Sequence, residues 1–87
     1  MNNQLRIERM HALLQEAFQP DRLEITDQSH LHVGHPGAKT GKGHFQLLIQ
    51  AKALTELSSV KAHQAIYQAL GTMMQNDIHA LSINILR

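Results

Sequence analysis

The sequence predicts an α+β fold of two layers, an αββαβ sandwich in which helices cover one face of a three-stranded mixed sheet. Three observations predict it. Two stretches repeat apolar residues at three- and four-residue steps, three others repeat them at alternate positions, and capping or turn residues separate the stretches. Each strand therefore offers one apolar face, and helices on one side of a single sheet satisfy every stripe.

The first element is an amphipathic helix from Asn3 to Phe18, with Ile7, Met10, Leu14, Ala17 and Phe18 on its apolar side. Asn2 or Asn3 can cap its start, and Pro20 lies just past its end. "RLEITD" then alternates Leu23 and Ile25 with Glu24 and Thr26, the pattern of a half-buried strand. "HFQLLIQ" repeats it with Phe45, Leu47 and Ile49 inward. Sixteen residues, Gln28 to Gly43, join these strands, more than a hairpin turn needs. A connection of that length in so small a domain is usually functional.

"AKALTEL" reads as an irregular segment or short turn. Ser58 or Ser59 caps a second long helix running to about Met74, with Val60, Ile66, Tyr67, Leu70, Met73 and Met74 as its apolar stripe; "QND" closes it. "HALSINILR" forms the last strand, with Leu81, Ile83 and Ile85 inward and Ser82 and Asn84 outward. The first two strands pair antiparallel, and the helix between the second and third permits a right-handed crossover to a parallel pairing.

With 43% hydrophobic and 17% charged residues, the 87 residues fit one globular domain spanning 1–87. Only 3% are aromatic, so the core has to be built from Leu, Ile, Val, Ala and Met. The absence of cysteine excludes disulfides, a Cys-type zinc site and a thiol nucleophile, and suits a cytoplasmic protein. No apolar stretch resembles a signal peptide or approaches the roughly 18 residues of a membrane span, so no membrane association is expected. The net charge of +1 is unevenly placed: residues 1–27 sum to −2 and residues 28–63 to +3.

The positive region includes "SHLHVGHPGAKTGKGH", Ser29 to His44, which holds four of seven histidines and four of five glycines. His30, His32 and His35 form H-x-H-x-x-H, and imidazole is a good ligand for zinc, copper, nickel or iron. The same loop could simply be solvated, or bind a single zinc or copper ion through these three residues. His63 points the same way as Ile66, Tyr67, Leu70 and Met74, near a helix start that a loop can approach. A core histidine satisfied by hydrogen bonds is the competing reading. His44 anchors the base of the loop by hydrogen bonding, while His11 and His79 take no role. "GAKTGKGH" misses the nucleotide-loop pattern by one residue, carries Gly43 where Ser or Thr is needed, and precedes a strand instead of a helix. No Ser/His/Asp constellation is present, and no enzymatic activity is expected.

The runs "ITDQSHLHVGH", "GHFQLLI", "LSSVKAHQAIYQAL" and "IHALSINIL" together resemble the BolA family over roughly Ile7 to Leu86. The specific elements are Asp27 and Ser29 before the loop, His44 with Phe45, His63 followed by Tyr67, and His79, Ala80 and Leu81 opening the last strand. The resemblance implies a class II KH-like fold without a G-x-x-G clamp. It also implies a monothiol glutaredoxin as partner and a [2Fe-2S] cluster shared with that partner and glutathione, none being expected in the isolated protein, which is a monomer or weak homodimer. By the same resemblance His32 and His63 are the cluster ligands, with His30 and His35 as alternates. Imidazoles in place of thiolates on one iron raise the reduction potential, and their need to be deprotonated weakens binding as pH falls. Such a protein serves iron-sulfur homeostasis or stress regulation.

The family's second activity is DNA binding by a helix-turn-helix-like segment around the second long helix, in transcriptional regulation. The family's R-H-R reads Ala62, His63, Gln64 here, which removes two phosphate contacts. Lys39, Lys42, Lys52, Lys61 and Gln64 are the residues left to meet DNA, with Glu56 opposing them. Weak binding is the expectation.

Overall fold

The computed structural model describes residues 2–29 and 42–87. Helix α1 spans Asn3–Phe18, and the side chain of Asn2 settles which asparagine caps it: its Oδ1 accepts from the Leu5 N–H at 2.8 Å. The helix stops at Gln19, which turns left-handed (φ 47°) and donates its N–H to the Gln15 carbonyl. Pro20, with no N–H to offer, cannot extend it.

Strand β1 (Arg22–Asp27) pairs antiparallel with β2 (Gly43–Gln50), Arg22 opposite Gln50 and Asp27 opposite Phe45. Strand β3 (Ile78–Ile85) pairs parallel on the other side of β2, giving the order β1-β2-β3 and the mixed sheet expected from the sequence. The central strand is the most buried: Phe45, Leu47 and Ile49 are inaccessible or nearly so. The edge strands alternate, with Leu23, Ile25, Leu81, Ile83 and Ile85 half-buried and Glu24, Thr26, Ser82 and Asn84 exposed. The helices cover one face.

Between β2 and β3 lie three helices. One turn, α2 (Lys52–Thr55), stands where an irregular segment was expected and buries Leu54. Helix α3 (Ser59–Leu70) begins at Ser58, whose Oγ accepts from the Lys61 N–H at 3.2 Å. It does not run on to Met74. Gly71 breaks it with a positive φ of 59°, and α4 (Met73–Asn76) is a separate turn that takes in part of the "QND" expected to lie outside a helix. The last strand accordingly starts one residue early, at Ile78.

The buried side of α3 is Ala62, Ile66 and Leu70, a row four residues apart. At 100° per residue, Val60 and Tyr67 lie about 120° and 100° from the centre of that row and His63 about 60°. Val60 and Tyr67 are therefore exposed, against expectation, and His63 is half-buried at the edge of the stripe and not on it. Ala17, placed on the apolar side of α1, is likewise exposed, while Met10 and Leu14 are fully buried. Each fully buried Leu, Ile, Phe or Met contributes about 1.5–3 kcal/mol of transfer free energy. No helix among the described residues is long and apolar enough to cross a membrane.

Candidate functional site

The ends of segment 30–41 join the fold where β1 finishes and β2 begins. The Gln28 N–H donates to the His44 carbonyl at 2.7 Å, and the His44 N–H donates to Ser29 Oγ at 3.0 Å. His44 thus closes the base of the loop as expected, through its backbone. Its ring is buried, 5% exposed, and lies against that of His79, with centroids 4.9 Å apart and planes tilted by 51°. The parallel pairing brings these two together. Gly43 faces Ile78 and His44 faces Ala80, and the register shift between them leaves His79 as the extra residue beside the loop, exposed.

A hydrogen-bonded chain runs under this corner. Arg6, 8% exposed in the first turns of α1, donates from Nε to Asp77 Oδ1 at 3.2 Å and from Nη1 to Asn3 Oδ1 at 2.9 Å. The Asn3 amide donates in turn to Asp27 Oδ2 at 3.1 Å and Ser29 Oγ at 3.0 Å. Asp27 Oδ1 accepts from the Ser29 N–H at 2.8 Å, and the Asp77 carbonyl accepts from the Gly43 N–H at 2.9 Å. A buried guanidinium requires such partners, because an unpaired charge there is strongly destabilising.

His63 sits elsewhere. It is the fifth residue of α3, and its ring meets Tyr67 edge-on at 6.4 Å between centroids. Because β2 and β3 are parallel, the connection through α2, α3 and α4 must return to the end of the sheet where β2 starts, and α3 itself ends at Leu70. His63 is seven residues short of that, about 10 Å along the helix axis. Among the described residues no three His, Cys, Asp or Glu side chains form a group that could hold a metal ion. His30, His32, His35 and Lys39 lie outside the described residues.

Of the lysines named for nucleic acid, Lys42 is half-buried just before β2, whereas Lys52 and Lys61 are exposed, as is Gln64. Lys52 lines a surface groove together with Phe18, Gln19, Asp21, Ala53 and Glu56. Sequence reasoning missed His79, Asn3 and the Arg6–Asp77 pair. For His79 a signal existed: once β2 and β3 are parallel, the start of β3 must lie beside the start of β2, and hence beside the loop.

Three comparisons bear on this arrangement. Residues 14–86 match the family model described as BolA-like protein. A DNA-binding transcriptional regulator BolA from Haemophilus influenzae is 35% identical over 72 residues, which cover 83% of this chain and 67% of the relative. The chloroplastic protein BOLA1 of Arabidopsis thaliana is 36% identical over 81 residues, 90% of this chain and 51% of that protein, so the chain spans about half its length. Among solved structures, the BolA domain of SufE1 from Arabidopsis thaliana superposes with a TM-score of 0.79 at 36% identity, covering 92% of this chain and 88% of that one.

Proposed function

The chain belongs to the BolA family, and from that premise we propose that it is a non-enzymatic partner of a monothiol glutaredoxin, sharing a [2Fe-2S] cluster through imidazoles. When bound, the cluster supplies a redox- and iron-responsive centre; this chain supplies ligands and the frame that holds them. The observation that carries the reading is the His44–His79 pair at the base of a loop with three more histidines.

His32 from the loop is one ligand, with His30 and His35 as alternates. The resemblance makes His63 the other, but the arrangement of elements favours His79. In the sequence His32 follows Ser29 by three residues. Ser29 is bonded to His44, and His44 packs on His79, which is exposed toward any incoming partner. His63 stands about two helical turns away along α3. A second histidine near the loop also explains why the site needs no cysteine: imidazole nitrogens can replace thiolates on one iron.

The test is to mix the protein with glutathione-loaded holo-glutaredoxin and record visible circular dichroism. The wild type is expected to change the cluster spectrum, His32→Ala and His79→Ala to abolish the change, and His63→Ala to retain it. An unchanged wild-type spectrum sinks the cluster reading. Loss with His63→Ala but not with His79→Ala returns the second ligand to the helix.

The bacterial relative's description as a DNA-binding transcriptional regulator supports a second reading, weak DNA binding through Lys52, Lys61 and Gln64, all exposed on the α2–α3 segment. Lys42 and Lys39 would add charge from the loop side. Each phosphate contact contributes a salt slope of about −0.9, so titration of promoter duplexes from low to physiological salt counts the contacts. No binding at low salt removes this reading.

A further inference from the structure

The sequence offers Asn2 and Asn3 as alternative helix caps, and once Asn2 takes that task Asn3 has none. We propose that Asn3 is a positioning residue for the histidine loop, relaying the Arg6–Asp77 ion pair at the start of β3 to the point where segment 30–41 leaves the sheet.

The chemistry of the position requires an amide. Asn3 Oδ1 accepts from the buried Arg6 guanidinium at 2.9 Å, while its Nδ2 donates to both the Asp27 carboxylate at 3.1 Å and the Ser29 hydroxyl at 3.0 Å. A carboxylate here could meet Arg6 but would face Asp27 with like charge and no donor. An aliphatic residue would satisfy neither side. Among short side chains only asparagine presents an acceptor to a cation and two donors to a carboxylate and a hydroxyl at once.

The consequence is mechanical. Ser29 Oγ, held by Asn3, is the acceptor for the His44 N–H, and His44 carries the ring against His79. On the other side Arg6 holds Asp77, whose carbonyl accepts from Gly43 and whose neighbour Ile78 begins the strand bearing His79. The first turns of α1 therefore tie both anchors of the loop to the start of β3. Losing Asn3 lets the loop base move relative to His79, while the core under β2 and α3 is untouched. The proposal rests on the cluster reading only for what the loop is held ready to do.

The test is amide hydrogen exchange on the whole chain, without metal or glutaredoxin, for the wild type, Asn3→Ala, Asn3→Asp and the double variant Asn3→Asp with Asp27→Asn. The double variant inverts the donor and acceptor of the central bond. In Asn3→Asp, which loses the charge-assisted bond to Asp27, the amides of Ser29 and His44 are expected to exchange about tenfold faster, and in Asn3→Ala, which also loses the bond to Arg6, at least as much faster, while those of Leu47 and Ile66 change little. The double variant should return Ser29 and His44 toward the wild-type rate. Equal acceleration at all four amides would reduce Asn3 to general structural support and overturn the proposal, as would a double variant no slower than Asn3→Asp. The measurement contains no cluster, so it fails separately from the glutaredoxin experiment.

Discussion

Gly43→Ala is expected to destabilise the protein through a collision and not through backbone conformation, since Gly71 is the only glycine with positive φ among the described residues. A Cβ at position 43 would overlap the Cζ and Cε2 atoms of the Phe45 ring and lie 2.9 Å from Asn3 Oδ1. Neither neighbour can yield at low cost. Phe45 is 1% exposed in the centre of the core, and Asn3 is held by three hydrogen bonds. Inserting a methyl group into such a site costs about 1–3 kcal/mol, and displacing the Asn3 amide adds about 1 kcal/mol. A total near 3 kcal/mol corresponds to a fall in Tm of roughly 12–24 °C for a domain of this size. Thermal and urea unfolding followed by far-ultraviolet circular dichroism measure it. Phe45→Leu removes the offending ring atoms at its own cost, so the pair of substitutions should be less harmful than the sum of the singles by at least about 1 kcal/mol. A Gly43→Ala protein within about 0.5 kcal/mol of the wild type, or strictly additive effects, would refute the reasoning.

Three further outcomes are expected from the same measurements. Gln19→Gly, at a helix end with φ 47°, relieves a left-handed conformation and should raise stability by about 0.5–1 kcal/mol. Asp77→Ala leaves the Arg6 guanidinium without its carboxylate at a side-chain exposure of 9% and should cost about 3 kcal/mol, with Asp77→Asn, which keeps an acceptor, costing less. Ser58→Ala removes the cap that holds the Lys61 N–H and should cost about 1 kcal/mol, with no effect on the loop end of the sheet.

Much of the fold was legible because its signals are local. The alternation in "RLEITD" and "HFQLLIQ" marks strands whatever they pair with, and the 3.6-residue repeat from Asn3 to Phe18 marks a helix whatever it covers. The errors fell where one residue's conformation or the docking angle of an element decides. Gly71 ends α3 early, and a rotation of that helix on the sheet exposes Val60 and Tyr67 and shifts burial to Ala62. The same rotation puts His63 at the edge of the apolar stripe, half-buried, where the periodicity alone sets it on the stripe.

The site divides along the same line. Composition and spacing alone pointed to a histidine-rich connection between two paired strands, and to a chain without thiols whose chemistry must rest on imidazole, carboxylate and amide groups. Which of those groups meet was decided by tertiary structure. Asn2 caps the helix and Asn3 bridges Arg6 to Asp27 because α1 docks with one asparagine over solvent and the other over the sheet end. His79 meets His44, across 35 positions of sequence, because parallel pairing with a register shift at Gly43 sets the two strand starts side by side. Periodicity is carried by neighbouring residues and survives in the bare sequence. Register and rotation are set by how whole elements pack, and no short stretch contains them.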